Sequence, residues 1–158
     1  MKFSTILTIL PAVALACPGS SSTMHAKCKM EVTFTNTCDE VMSEMTSRVN
    51  SDWVDPHNAG VYSISNSTDT SLEGKRVTGD SKYTDLFDFK FTSTDSGCVV
   101  EACSESQVMS IKDFSTNYCN LHDLYCSSAD GCPTAGKDLA YSEKFDSCRQ
   151  HDDVCVAK

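Results

Sequence analysis

Ten of the 158 residues are cysteines, the residue type with the most chemistry to offer in this chain. Thiols pair as disulfides in exported proteins and bind metals or do redox chemistry in cytosolic ones. No two cysteines form a C-x-x-C pair, and no histidine stands at metal-finger spacing from them, which argues against a zinc finger or a thioredoxin-type site. The even number therefore predicts up to five disulfides, with the connectivity left open. The cysteines are Cys17, Cys28, Cys38, Cys98, Cys103, Cys119, Cys126, Cys132, Cys148 and Cys155.

The segment Cys119-Asn120-Leu121-His122-Asp123-Leu124-Tyr125-Cys126 places a histidine and an acid between two cysteines. It resembles the active-site segment of secreted phospholipases A2, in which a cysteine precedes the His-Asp pair by the same interval and Cys-Tyr follows it, here transposed to Tyr125-Cys126. The resemblance implies that His122 is a general base that activates water and that Asp123 binds calcium. The alternative is a disulfide-braced loop that carries a surface histidine.

A turn at residues 53–60 concentrates groups that could bind a cation. Asp55, His57 and Asn58 lie within four positions of one another, and calcium takes six to eight oxygen ligands. The alternative is ordinary turn chemistry, in which Asp and Asn side chains bond their own backbone. Arg76, at the end of a predicted strand, either binds an anion or pairs with a carboxylate.

Asn66-Ser67-Thr68 is the only N-x-S/T sequon in the chain. In a eukaryotic secretory pathway it predicts a glycan on an exposed loop, and otherwise Asn66 is an unmodified turn residue.

Charge and composition narrow the classes of partner. The chain carries 13 Lys+Arg against 22 Asp+Glu, a net charge of −9, and its basic residues are scattered. A nucleic-acid surface needs clustered basic residues, and so does docking on anionic lipid, so neither partner is expected. No G-x-S-x-G elbow or phosphate-binding G-x-x-x-x-G-K loop is present.

The N-terminus has the organisation of a secretory signal peptide. Lys2 precedes a short apolar stretch that ends at Ala14-Leu15-Ala16, and no apolar run reaches the ~20 residues that span a bilayer. Cleavage after Ala16 would retain all ten cysteines and place the protein outside the cell. We therefore divide the chain into a signal peptide at 1–16, a cysteine-containing segment at 17–36, a core at 37–112 and a disulfide-rich segment at 113–158.

Hydrophobic periodicity predicts a helix over residues 38–49. Thr37 and Glu40 fit a capping box, and Cys38, Val41, Met42, Met45 and Val49 fall on one helical face.

Short strands are predicted at 30–34, 61–65, 72–78, 84–92 and 98–103, the last leading into 107–111. Phe87, Phe89 and Phe91 alternate with polar residues, and short polar breaks favour antiparallel pairing.

Together these elements predict an α+β fold in which an N-terminal helix packs on an antiparallel meander of four or five strands. The element order is cystatin-like or nuclear-transport-factor-like. The C-terminal segment is expected to be irregular and cross-linked, with one helix at 137–150.

Two functions remain open at this point. The first is a secreted, non-enzymatic binding or structural module for an extracellular ligand or protein, with no cofactor. The second is a small secreted hydrolase that uses His122 and Asp123 with calcium. A protease inhibitor on a cystatin-like fold is disfavoured, because residues 107–111 contain no glycine.

Overall fold

A computed structural model describes residues 17–18, 24–151 and 155–156 of the chain. The predicted signal peptide lies outside these residues. The elements, in chain order, are β1 (Lys27–Phe34), α1 (Cys38–Asn50), β2 (Val61–Thr68), β3 (Ser71–Val77), β4 (Thr84–Thr94), β5 (Gly97–Ser106), α2 (Thr116–His122), a 3₁₀ turn (Ser128–Asp130) and β6 (Tyr141–Phe145).

The six strands of the described residues form one antiparallel sheet in the order β2-β3-β4-β5-β1-β6. Strands β2 to β5 are the predicted meander. The predicted number of four or five strands is wrong, and so is the N-terminal helix of the predicted fold, because the strand predicted at 30–34 joins the sheet as β1. Strand β1 opens the fold and pairs with β5 from Lys27↔Glu105 to Phe34↔Cys98, and β6 then covers its other edge. The protein is therefore mostly sheet, and the α+β description applies only in part.

Helix α1 forms where the capping box predicts it. The Glu40 amide donates to Thr37 Oγ1 at 3.3 Å, and the Thr37 amide donates to the Glu40 carboxylate at 3.1 Å, so two N-terminal amides are satisfied. Cys38, Val41 and Met45 are buried against the sheet. Burial of this apolar stripe holds the helix on one face of the sheet, which we call the inner face.

Strand β4 supplies the centre of the inner face. Phe87, Phe89 and Phe91 are all buried, with ring centroids 5.8 Å apart for the first pair and 6.4 Å for the second. The Tyr62 ring from β2 continues this row 5.8 Å from Phe87. The predicted alternation of β4 is confirmed, and it places an aromatic core beneath the helices.

The C-terminal segment is more regular than expected. Residues 116–122 form helix α2, which packs on the inner face against β5, β1 and β4. The predicted helix at 137–150 is wrong, because residues 141–145 are strand β6. The backbone edge of β1 offers these residues hydrogen bonds that their weak helical stripe could not outweigh. Residues 107–111 form a loop rather than a continued strand, since β5 ends at Ser106.

All ten cysteines pair, as predicted. Three bridges tie distant segments to the sheet, and two lie within the C-terminal segment. The five bridges are Cys17–Cys103, Cys28–Cys148, Cys38–Cys98, Cys119–Cys155 and Cys126–Cys132. Among the described residues, no helix is long and apolar enough to cross a membrane.

Candidate functional site

Helix α2 positions the side chains of the 119–126 segment and is buried along most of its length. It follows two residues with left-handed backbone, Phe114 at φ 51° and Ser115 at φ 62°. Successive residues of a helix point about 100° apart around its axis. The neighbouring side chains His122 and Asp123 therefore enter different surroundings.

His122 lies in a cluster of hydroxyl and carboxylate groups. Its Nδ1 is 2.9 Å from Glu143 Oε1 on β6 and 3.1 Å from the Tyr118 hydroxyl. The Tyr118 hydroxyl also donates to Glu143 at 3.1 Å, and the Tyr125 hydroxyl donates to Glu143 at 2.5 Å. One carboxylate thus gathers an imidazole and two phenols, and the imidazole is stacked on the Tyr118 ring at 5.0 Å.

These donors determine the charge of the cluster. Burial alone would raise the pKa of Glu143, but hydrogen bonds from His122 and Tyr125 hold it below its usual value. The same contacts act in reverse on the phenols, because burial and the Glu143 charge raise the pKa of Tyr118 and of Tyr125. At neutral pH the site is an anionic Glu143 that accepts from neutral phenols.

The Cys126–Cys132 disulfide also lies beside His122. A ring nitrogen of His122 and the two sulfur atoms lie within 4.8 Å of one another. On its far side Cys126 meets Arg48 of α1, whose Nη1 lies 3.7 Å from the sulfur and whose Nη2 donates to the Cys126 carbonyl at 2.9 Å. This disulfide is therefore flanked by an imidazole and a guanidinium.

Asp123 is turned away from this cluster and is fully buried. Neither of its carboxylate oxygens accepts a hydrogen bond. Burial raises the pKa of Asp123 to about 10, helped by the neighbouring Asp55 carboxylate. A buried, neutral carboxylic acid does not fit the calcium-ligand role that the phospholipase resemblance implies.

The turn oxygens of residues 55–58 bind a cation, but that cation belongs to the chain itself. The Arg76 guanidinium contacts the Asp55 carboxylate, the His57 carbonyl and Asn58 Oδ1, the last at 3.0 Å. Asp55 also accepts from the Gly60 amide at 2.6 Å. A Cβ at Gly60 would lie 2.3 Å from the guanidinium carbon, so only glycine leaves room for this contact. The arrangement does not support a metal ion held by Asp55, His57 and Asn58.

Two surface clefts flank the loop that connects β5 to α2, residues 107–115. One has a volume of about 200 Å³ and is lined by residues that include Met24, His25 and Ile111. The other, of about 360 Å³, is lined by residues that include Tyr83, Met109 and Phe114. Ser110 and Asp113 line both clefts, so the loop is the wall between them.

Buried hydrogen bonds hold the floor of the larger cleft. Asn120 of α2 donates to Asp85 at 2.8 Å and to Ser104 at 3.0 Å. Ser104 in turn donates to Asn117 at 2.7 Å, and Asn117 donates to Asp113 at 2.7 Å. Asp85 and Asp113 both line the cleft. The network therefore connects the cleft to helix α2 through fixed side chains.

The predicted glycan site lies on a strand. Asn66 is exposed in β2, an edge strand of the sheet, at a register shift between Ile64 and Asn66. Glycosylation stays a prediction. A glycan there would cover an edge that otherwise offers its backbone to other chains.

Sequence reasoning missed Glu143, Arg48 and the loop at 107–115. Tyr118, His122 and Tyr125 recur at helical spacing, which could have indicated one polar face of α2. No sequence pattern marks Glu143, which reaches the site only because β6 pairs with β1.

Comparisons with protein-family models, curated proteins and solved structures find no match for this chain.

Proposed function

We propose that this protein is an exported, disulfide-stabilised binding module that captures an extracellular ligand at the two clefts beside residues 107–115. The observation that carries the proposal is the distribution of exposed apolar side chains. Nine large apolar side chains of the described residues are exposed, and Met24, Tyr83, Met109, Ile111 and Phe114 among them line these clefts. Such clustering is typical of a recognition surface, whereas scattered apolar residues are ordinary.

The inner face supports a surface site rather than an interior one. Phe87, Phe89, Leu72 and Tyr125 are each no more than 1% exposed and fill the space between sheet and helices. The loop at 107–115 instead keeps apolar groups in solvent above a polar floor of Asp85, Ser106 and Thr116. This combination suits a small ligand with an apolar body and hydrogen-bonding groups.

Export is the second part of the proposal. Five disulfides persist in oxidising compartments and are rare in the cytosol. The predicted signal peptide and the sequon at Asn66 agree with this compartment.

The test compares two double variants that remove equal numbers of exposed apolar groups. The first is Met109→Ser with Phe114→Ser at the larger cleft, and the second is Val54→Ser with Val61→Thr, two exposed residues that line neither cleft. Each purified protein is titrated with the apolar dye anilinonaphthalene sulfonate and with small molecules retained from the native medium. We expect the cleft variant to lose binding several-fold while the control keeps it. Equal binding by both variants, or no binding by the native chain, would overturn the proposal.

A second candidate is a small secreted hydrolase, which one contact favours. The 2.9 Å approach of Glu143 to His122 Nδ1 orients the imidazole as a general base requires. Because Asp123 does not fit a calcium ion, this reading rests on His122 and Glu143 alone. Turnover of phospholipid vesicles that disappears in His122→Ala but survives in His25→Ala would support it. If the native chain shows no turnover, the phospholipid hydrolase is eliminated.

A further inference from the structure

His122, Cys126 and Cys132 bring three metal-binding atoms together at one point of the C-terminal segment. The ring nitrogen and the two sulfurs lie within 4.8 Å of one another, although the sulfurs are joined as a disulfide. We propose that reduction of the Cys126–Cys132 bridge converts this cluster into a site for a thiophilic divalent ion of the zinc class. Two thiolates and one imidazole are a ligand set that Zn²⁺ takes, with a water in the fourth position.

The histidine already has the orientation that a metal ligand needs. Histidines that bind metals almost always give their other ring nitrogen to a carboxylate, which fixes the tautomer and the ring position. Glu143 is the carboxylate in that position, with Oε1 2.9 Å from His122 Nδ1. With Nδ1 engaged there, Nε2 is the nitrogen left to coordinate, and the Tyr118 ring stacked at 5.0 Å restrains the imidazole further.

The backbone also holds the ligands in reach of one another. His122 and Cys126 are four residues apart, and the Cys126 amide donates to the His122 carbonyl at 2.8 Å. Cys132 returns after the 3₁₀ turn Ser128–Asp130, whose residues are exposed. When the bridge opens, this turn lets the second sulfur move to the longer separation that two ligands of one ion require.

The charge of the proposed ligands matches that of a divalent ion. Two thiolates bring two negative charges, which a divalent ion neutralises. Arg48, 3.7 Å from the Cys126 sulfur, is itself paired with Glu44 at 2.8 Å. The neighbouring pair therefore adds no net charge to the site.

Of the five bridges, this one can open with the least effect on the fold. Its cysteines are 6 residues apart, whereas the other four bridges join residues 36 to 120 apart. A disulfide that closes a short loop constrains the unfolded chain least, so opening it lowers the stability of the fold least. The four longer bridges keep the segments of the sheet and α2 connected.

The chemistry balances with a dithiol as the reductant. The dithiol gives two electrons and two protons to the Cys126–Cys132 bond and becomes a disulfide, leaving two cysteine thiols. The metal ion then displaces the two thiol protons and forms two metal–sulfur bonds and one metal–nitrogen bond. Exchange with the disulfide form of the same reagent takes the two electrons back, re-forms the Cys126–Cys132 bond and releases the ion.

The test uses the full exported chain, reduced with one equivalent of a phosphine and then desalted. Alkylation and peptide mass mapping should show Cys126 and Cys132 as the first thiols to appear. The reduced chain should then bind one Zn²⁺ ion, measured by elemental analysis, and the chain before reduction should bind none. Co²⁺ added to a separate portion of the reduced chain should give thiolate charge-transfer absorption.

Variants assign the ligands. Cys126→Ser with Cys132→Ser should abolish binding, and Glu143→Gln should weaken it about 10–100-fold. His122→Ala should weaken it at least as much, while His57→Ala, which keeps the backbone carbonyl that accepts from Arg76, should leave it unchanged. The proposal is wrong if another bridge opens first, if the reduced chain binds no Zn²⁺ or Co²⁺, or if His122→Ala binds as the native chain does.

Discussion

Asp123 and Glu143 are two mostly buried carboxyl groups at helix α2, and their surroundings drive their pKa values in opposite directions. Asp123 accepts no hydrogen bond, so burial raises its pKa to about 10. Glu143 accepts from His122, Tyr118 and Tyr125, and these bonds hold its pKa below the usual value although burial opposes them. Hydrogen-bond donors therefore outweigh burial at Glu143, whereas burial acts without them at Asp123. Asp123 is therefore a neutral acid in the interior, whereas Glu143 is a charged acid in a partly open site.

The largest effect should come from removing the cation on the Asp123 side. Arg76 is fully buried and neutralises Asp55, so Arg76→Met would leave a buried carboxylate without its counter-charge. We expect a loss of about 3–5 kcal/mol in the free energy of unfolding, measured by denaturant titration with disulfides intact. The matched control is Lys82→Met, which breaks the exposed pair of Lys82 with Asp80 and should cause no measurable change. Equal losses in the two variants would contradict a buried ion pair at Arg76.

Replacing Asp123 tests the neutral side directly. The folded pKa is about 10 and the ordinary value is 3.8, so the folded chain holds one more proton than the unfolded chain between these values. Stability should therefore fall as pH rises through this window. Asp123→Asn removes this pH dependence. At pH 7 we expect the free energy of unfolding of the variant to exceed that of the native chain by on the order of 1 kcal/mol or more. A difference that does not grow with pH would show that Asp123 is charged in the fold.

Glu143→Gln should show the opposite pH dependence. The lowered folded pKa means that Glu143 stabilises the protein above its ordinary pKa of 4.5, and the contribution disappears as pH falls through the folded pKa. At pH 7 we expect a loss of about 1–3 kcal/mol, because hydrogen bonds to a charged acceptor are broken. Unfolding curves of the variant and the native chain at neutral and acidic pH measure this loss of stability. A loss that grows in acid would remove the contrast with Asp123.

The smallest effect is expected at Asp88, a third buried acid on the opposite face of the sheet. Its Oδ1 has no hydrogen-bond partner, and burial raises its pKa to about 7. Stability should thus decline between about pH 4 and 7, and Asp88→Asn should flatten that decline with a gain of ~1 kcal/mol at pH 8. Asp95→Asn, at an exposed turn, is the control and should follow the native curve. Parallel curves for Asp88→Asn and the native chain would contradict the raised pKa.

Local patterns predicted the elements that local interactions stabilise. Thr37 and Glu40 cap α1 within one turn, and Phe87, Phe89 and Phe91 alternate within one strand. Prediction of secondary structure failed where pairing with a distant strand overrode the local pattern. Residues 141–145 carry a partial helical stripe but pair with β1, more than a hundred residues earlier in the chain.

The candidate sites show the same division. The oxygens of Asp55 and Asn58 contact the guanidinium of Arg76, from a strand some twenty residues later, and not the metal ion that the turn pattern predicts. His122 was singled out for its chemistry, whereas the carboxylate that orients it, Glu143, carried no signal. Residue types indicate what a group can bind, and only the fold brings the partner to it.

By itself the sequence determined the predicted export signal, the paired state of ten cysteines, the capped helix α1 and the antiparallel meander, because each depends on composition or on residues near one another in the chain. The tertiary structure alone decided the position of β1 and β6, the five disulfide pairings and the separate environments of His122 and Asp123. These outcomes depend mostly on contacts between residues far apart in the chain, as the four bridges that join residues 36 to 120 positions apart illustrate. Such contacts form only when the whole core is buried at once.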